Sequence, residues 1–298
     1  MSQAMEQFFE NGILPVVVID DAAKAVPLAR ALLRGGIFAI EITLRTNDGV
    51  KAIGHIRHEV PEMYVGAGTV ITLERAKQAV QAGAQFIISP GLNVPVIQWC
   101  QEQNIPVFPG VATPSEVEAA LNLGLRELKF FPAEAAGGVP MLRAFASPYP
   151  MATFLPTGGI GLQNMMEYLA LPNVLACGGS WLCPQKLLAE DRFDEIERLT
   201  RQAVTTLHGF SITKLQFACG VTEEERDKMT VINEFSASPL LQYEDAEEKG
   251  SIQITANNLS RAKAFFERRG FLCREEGRKG ILTTQIADFS LFIKQKKV

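Results

Sequence analysis

From residue 12 to about residue 183, short, mostly apolar runs alternate with longer segments whose apolar residues recur every three or four positions. The apolar runs fall at 13–19, 38–42, 64–66, 86–88, 107–108, 127–131, 153–155 and 174–177. Because they are apolar on both faces with few interruptions rather than alternating, they predict strands buried on both faces, and therefore a parallel sheet. The segments between them, 22–34, 47–58, 73–81, 95–103, 114–122, 139–145 and 162–169, predict amphipathic helices, with another at 193–207 after the last strand. Gly35-Gly36, Gly83 and Gly124 stand where helices should end, and Asn93 and Thr113-Pro114 where they should begin. Eight strand–helix repeats predict an α/β fold, a (β/α)8 TIM barrel; an open doubly wound sheet is the alternative.

After His208 the pattern changes. Residues 209–219 read as a strand, 221–228 as a charged helix or loop, and 243–250 as an acidic linker. A strand at 251–255, a helix at 259–269 ended by Gly270, and strands at 271–274, 281–286 and 290–293 follow. The tail thus predicts a small α+β domain with a β-α-β-β-β run. The expected division is a barrel over 1–209 and this module over 210–298.

The length of 298 residues accommodates both. A composition 47% hydrophobic and 21% charged is that of an ordinary soluble globular chain. The net charge of -4, without a basic stripe, argues against nucleic acid or an anionic membrane as partner. Residues 1–11 have no signal-peptide pattern, and no apolar run approaches the roughly 20 residues of a membrane helix. Cys100, Cys177, Cys183, Cys219 and Cys273 form no Cys-x-x-Cys pair, which predicts reduced thiols in a cytoplasmic protein.

In a parallel barrel, chemistry gathers where strands run into the following loops. Lys129 interrupts an apolar strand between Leu128 and Phe130. Burial favours the neutral form of an amine, and a neutral amine adds to ketones as a Schiff base. The other reading is a structural ion pair with Glu41 or Glu127. Glu41 interrupts the second strand, where a carboxylate can move protons next to a carbonyl. Arg45, just beyond it, has the planar fork that holds a carboxylate. A local salt bridge between Glu41 and Arg45 is the competing reading. Strand ends rich in glycine and hydroxyl groups occur at 66–69, 89–91, 156–160 and 178–181. The Gly-Gly turns after strands seven and eight, with Ser180, are suited to an anion held by backbone amides. His55 and His58 share a helix face but lack a third ligand, so no metal site is expected.

Six motifs run in order, within a match that extends through about residues 6–208: Ile-Glu-Ile-Thr-Leu-Arg-Thr at 40–46, Gly-Ala-Gly-Thr-Val at 66–70, Ile-Ser-Pro-Gly at 88–91, Lys-Phe-Phe-Pro-Ala-Glu at 129–134, Pro-Thr-Gly-Gly-Ile at 156–160 and Gly-Gly-Ser-Trp-Leu at 178–182. Together they resemble the 2-keto-3-deoxy-6-phosphogluconate (KDPG) / 4-hydroxy-2-oxoglutarate (KHG) aldolase family. The resemblance implies a class I, metal-independent aldolase with no cofactor beyond the covalent Schiff base, usually a homotrimer. It implies Lys129 as the Schiff-base residue and Glu41 as general acid/base. Arg45 and Thr69 would hold the carboxylate of the 2-oxo acid, and Pro90 and Phe131 would shape the pyruvate pocket. Thr157, Gly158, Gly159 and Ser180 would bind distal hydroxyls and phosphate. The expected products are pyruvate with glyceraldehyde 3-phosphate or glyoxylate, and Thr157 tilts the expectation toward the gluconate rather than the galactonate epimer.

The tail extends beyond the usual family length and resembles half of a glyoxalase / vicinal-oxygen-chelate domain. Its first strand offers Gln253, whereas its last offers no carboxylate, so a packing, dimerisation or sensing role is expected rather than a second metal-dependent activity. A non-catalytic sugar-acid or phosphate sensor on the same barrel is the rival from another functional class. A phosphate-binding isomerase would have no need of a lysine in strand six.

Overall fold

The computed structural model describes residues 3–217, 241–243, 251–276, 281–286 and 289–296. The segments 221–228 and 244–250 of the sequence reading lie outside them. The chain divides into two compact units, Met1–Val204 and Thr205–Val298.

The first unit is a (β/α)8 barrel. Its strands are β1 (Ile13–Val17), β2 (Ala39–Thr43), β3 (Tyr64–Gly68), β4 (Ile87–Ile88), β5 in two pieces (Val107–Phe108 and Gly110–Val111), β6 (Glu127–Phe130), β7 (Thr153–Pro156) and β8 (Cys177–Gly179). Pro109, which has no amide hydrogen, separates the two pieces of β5. Paired neighbours are parallel throughout, and β8 returns to β1 with Ile13 opposite Cys177. Bridges from Phe154 to Val174 and from Thr157 to Gly178 join β7 to β8 and close the ring.

Helices α2 (Ala25–Gly35), α3 (Gly49–Glu59), α4 (Leu73–Gln81), α5 (Val94–Glu102), α6 (Pro114–Asn122), α7 (Gly138–Phe145) and α8 (Met165–Leu169) connect the strands, and α9 (Gln185–Ala189) and α10 (Phe193–His208) follow β8. Thr72, Asn93 and Thr113 accept from amides of the first turns of α4, α5 and α6, and Thr113 forms a reciprocal capping box with Glu116. Gly36 takes φ 100 at the end of α2. Helix α8 starts at Met165 rather than at 162, because Asn164 Oδ1 accepts from the Gly161 amide and holds 161–164 as a turn.

The periodicity gave no sign of α1 (Gln3–Asn11), whose polar sequence carries only two phenylalanines. One of them, Phe8, is buried, with its ring centroid 4.9 Å from those of both Phe86 and Phe108. It packs in one cluster with Leu14, Ile88, Leu155 and Ala176 from strands all around the barrel. Phe8, with Phe9 packed against the same cluster, thus anchors the helix, a tertiary effect that local pattern does not register. Among the described residues, no helix is long and apolar enough to cross a membrane.

The second unit contains β9 (Ser211–Phe217), β10 (Leu241–Tyr243), β11 (Ser251–Ala256), α11 (Leu259–Glu267), β12 (Arg274–Glu276), β13 (Ile281–Ile286) and β14 (Phe289–Gln295). The sheet order is β10-β9-β11-β14-β13-β12, with β11 parallel to β14 and β13 antiparallel to both its neighbours. Strand β10 was not foreseen; it pairs in parallel with β9. The core joins Ile254, Leu282, Leu291 and Ile293 of the sheet to Ala262 of α11. His208 stacks on Phe210 at 5.0 Å and lies 4.5 Å from the Phe265 ring.

Burial, reinforced by Arg261 and Arg269, holds the His208 imidazole down at about 4, against an ordinary value of 6.5. On acidification the unfolded chain takes up this proton near pH 6.5 while the folded unit resists it until about pH 4. The linked stability is therefore intact above pH 6.5 and declines between these limits. The expected loss is about 3 kcal/mol. Hydrogen exchange of α11 amides should show this decline in the wild type and a shallower one in His208→Gln; identical pH slopes would remove His208 as the cause.

Candidate active site

Residues alternate across a strand, so Lys129 faces the barrel interior while Leu128 and Phe130 face the helices. Glu41 on β2 also faces inward. The Lys129 Nζ lies 3.2 Å from Glu41 Oε1 and 3.4 Å from Oε2. Lys129 is 5% exposed and Glu41 0%. This is the partner that the sequence left open between Glu41 and Glu127, and it replaces the Glu41–Arg45 bridge of the competing reading. Gly68 on β3 makes the room: a Cβ there would overlap the Glu41 carboxylate. The glycine of the Gly66-Ala67-Gly68-Thr69 motif is thus the space that the carboxylate fills.

Arg45 follows β2 and its Nε donates to Thr69 Oγ1 at 3.2 Å. Thr69 holds φ 58, left-handed backbone that a β-branched residue seldom adopts, and such strain gathers at functional sites. Next to Lys129, the Phe131 ring centroid is 5.5 Å from Nζ. Pro90 lies two residues beyond β4, where its carbonyl is so close to Gly110 that only glycine fits there.

A cavity of about 520 Å³ opens at the carboxyl ends of the strands. Arg45, Phe131, Thr157, Gly158, Gly159 and Ser180 line it, six of the ten residues singled out from sequence. Lys129, Glu41, Thr69 and Pro90 are not on its wall; Phe131 links the wall to Lys129, and Arg45 links it to Thr69. Val16, Val18, Ile160, Gly179, Cys183, Pro184 and Gln185 complete the lining; the sequence placed Gly179 in the Gly-Gly turn suited to an anion and Ile160 in a family motif, and gave Val16, Val18, Cys183, Pro184 and Gln185 no site role. The signal for those five was position alone, at the end of β1 and after β8. Burial raises the Cys183 thiol far above the usual range, which makes it an inert wall.

The turn after β7 shows how the backbone is aimed. Gly158 and Gly159 take φ 103 and 79, open to glycine at little steric penalty. The Thr157 carbonyl accepts from the Ala133 amide at 2.8 Å and the Gly158 carbonyl from the Glu134 amide at 3.1 Å. The Gly159 carbonyl accepts from Asn164 Nδ2 at 3.2 Å. In a trans peptide the C=O and the following N–H point opposite ways. The amides of Gly159 and Ile160 are therefore turned away from these partners, and both residues line the cavity. Among the described residues, no three His, Cys, Asp or Glu side chains gather as a metal site.

A buried ion pair that loses one member leaves an unpaired charge, whereas apolar replacement of both is often neutral. Lys129→Ala should destabilise the barrel by about 3–5 kcal/mol, while Lys129→Met combined with Glu41→Leu should recover most of that loss. Both tryptophans, Trp99 and Trp181, lie in this unit, so their fluorescence during urea unfolding measures the difference. Equal losses in the single and double variants would rule out the coupling.

The family model described as KDPG and KHG aldolase matches residues 5–199. The 2-dehydro-3-deoxy-phosphogluconate aldolase of Treponema pallidum (strain Nichols) is 47% identical over 192 residues, covering 64% of this chain and 91% of its own. The KHG/KDPG aldolase of Escherichia coli (strain K12) is 48% identical over 192 residues, covering 64% and 90%. Among solved structures, the KDPG aldolase of Legionella pneumophila, with pyruvate captured as a covalent carbinolamine, is similar with a TM-score of 0.66 at 42% identity, covering 68% of this chain and 98% of its own. With the six motifs, the barrel and the buried Lys129–Glu41 pair in agreement, the chain belongs to the KDPG and KHG aldolase family.

Proposed function

We propose that this protein is a class I aldolase that cleaves KDPG to pyruvate and glyceraldehyde 3-phosphate, and KHG to pyruvate and glyoxylate. The observation that carries the reading is the buried amine and carboxylate 3.2 Å apart, beside a cavity bordered by Arg45 and the Gly158-Gly159 turn. The names of the relatives and the carbinolamine in the Legionella pneumophila enzyme support it.

The Lys129 ammonium passes a proton to Glu41, and the freed amine adds to C2 of the 2-oxo acid. Glu41 returns the proton to the carbinolamine hydroxyl, which leaves as water and gives the iminium. Arg45, held by Thr69, fixes the C1 carboxylate. Glu41 then takes the C4 hydroxyl proton while the C3–C4 bond breaks. The bonding pair moves toward the iminium, so an enamine remains and the aldehyde departs. The same carboxyl protonates C3, and hydrolysis of the resulting iminium frees pyruvate and the lysine. The iminium withdraws electrons as a Lewis acid otherwise would, so the scheme runs without a metal. The distal phosphate lies on the amides of Gly159 and Ile160 with Ser180, and Thr157 favours the gluconate epimer. Pro90 and Phe131 bound the pyruvate methyl.

The reading carries with it a cytoplasmic homotrimer. The β-α-β-β-β run from β11 to β14, with its first strand parallel to its last, supports the likeness of the tail to half of a glyoxalase / vicinal-oxygen-chelate domain, in a packing or sensing role.

Borohydride added with pyruvate should leave a reduced adduct on the peptide containing Lys129, and an active protein with no such adduct would refute the covalent step. Glu41→Gln should lower the release of pyruvate from KDPG by about 100-fold or more, as loss of a positioned acid–base group does. Native mass should correspond to three chains.

A further inference from the structure

Glu134, in the loop after β6, takes no part in the chemistry above. Its amide donates to the Gly158 carbonyl, and its Cβ and Cγ pack so closely over Gly159 that a side chain at 159 would collide with them. The Tyr168 hydroxyl, on α8, donates to the Glu134 carboxylate. Tyr168 is fully buried, whereas Glu134 lies at the exposed rim of the loop. Gly138 packs beneath the pair, its Cβ direction 3.1 Å from the Tyr168 hydroxyl. A fixed phenol in the core therefore holds a rim carboxylate, and that carboxylate's stem lies on the turn that presents the Gly159 and Ile160 amides.

Such a turn has reason to need a latch. Two consecutive glycines at positive φ lose more backbone freedom on ordering than other residues, and an unheld turn would bear that loss when ligand binds. The latch also directs charge. A free carboxylate beside an anion site opposes a phosphate; one engaged by a phenol hydroxyl is drawn toward α8.

We infer that Glu134 and Tyr168 form a positioning latch that pre-orders the Gly158-Gly159 turn and so determines preference for phosphorylated over unphosphorylated 2-oxo acid substrates. The inference rests on the aldolase reading for its substrates but not for the latch itself. Neither side chain touches the reacting atoms, so the latch acts on binding of the distal group and leaves the Lys129 chemistry intact.

Tyr168→Phe removes one hydroxyl and keeps the ring in the core. It should raise KM for KDPG by about tenfold, the worth of one charge-assisted hydrogen bond. Its kcat, and KM for KHG, should stay within about twofold, inside the usual scatter of a neutral change. Glu134→Ala, which loses the stem over Gly159 but leaves no free carboxylate, should raise that KM by less, about threefold to fivefold, and Glu134→Gln, which still accepts from Tyr168, should restore most of the KDPG affinity. An equal rise in KM for both substrates, or none for KDPG, would overturn the latch. Calorimetry with inorganic phosphate provides an arm free of turnover: weaker binding in Tyr168→Phe than in the wild type supports the latch, and equal binding overturns it. Wild-type protein that cleaves neither substrate would instead refute the aldolase reading, with the phosphate measurement still deciding the latch.

Discussion

A lysine and a glutamate that share the buried barrel interior set the terms for everything around them. Each is costly to bury alone, and together they are tolerable only at hydrogen-bonding distance. Lys129 is presented by β6 and Glu41 by β2, strands far apart in sequence and joined only because the ring closes. The neighbours yield space accordingly. Gly68 gives up its side chain to the Glu41 carboxylate, and Gly110 gives up its own to the Pro90 carbonyl beside Lys129 on the sheet. The pair is a weak source of stability; in the proposed reaction it supplies a proton donor and an acceptor fixed at hydrogen-bonding distance.

The loops beyond the strands divide the remaining tasks. Arg45 and the strained Thr69 stand after β2 and β3, the Phe131 ring after β6, and the glycine turn after β7. These loops are held by backbone hydrogen bonds rather than by packing alone. The carbonyls of Thr157, Gly158 and Gly159 all have partners, so the amides opposite them are committed in direction before any ligand arrives. Preorganised dipoles of this kind bind an anion without reorganising, which is why a turn of two small residues can serve as a site. The hydrogen bond between Tyr168 and Glu134 extends that order by one layer, from the helix after β7 to the loop after β6.

The second unit follows different physics. Its single sheet is covered by α11 and organised near the barrel's end of the chain by aromatic rings around an uncharged histidine. Arg261 and Arg269 oppose protonation of His208, so this core resists the charge that the barrel core accommodates. One core buries an ion pair, and the other opposes the charging of its histidine.

How much of this was legible in the sequence depended on the range of the interaction. Mostly apolar runs declared the parallel strands, and Thr113 and Gly36 marked helix ends, because burial on two faces and capping are local requirements. Lys129 and Glu41 announced themselves as charges out of place on apolar strands, and motif resemblance supplied their roles. The sequence by itself could not choose between Glu41 and Glu127 as the partner, could not place α1, whose position rests on Phe8 meeting Phe86 and Phe108, and could not foresee β10. It was equally silent on the residues after Ser180 that complete the cavity, and on why Gly68 must be glycine. Those outcomes belong to contacts between segments remote in the chain. Local pattern fixes which face of an element is buried; only closure of the ring decides what that face meets.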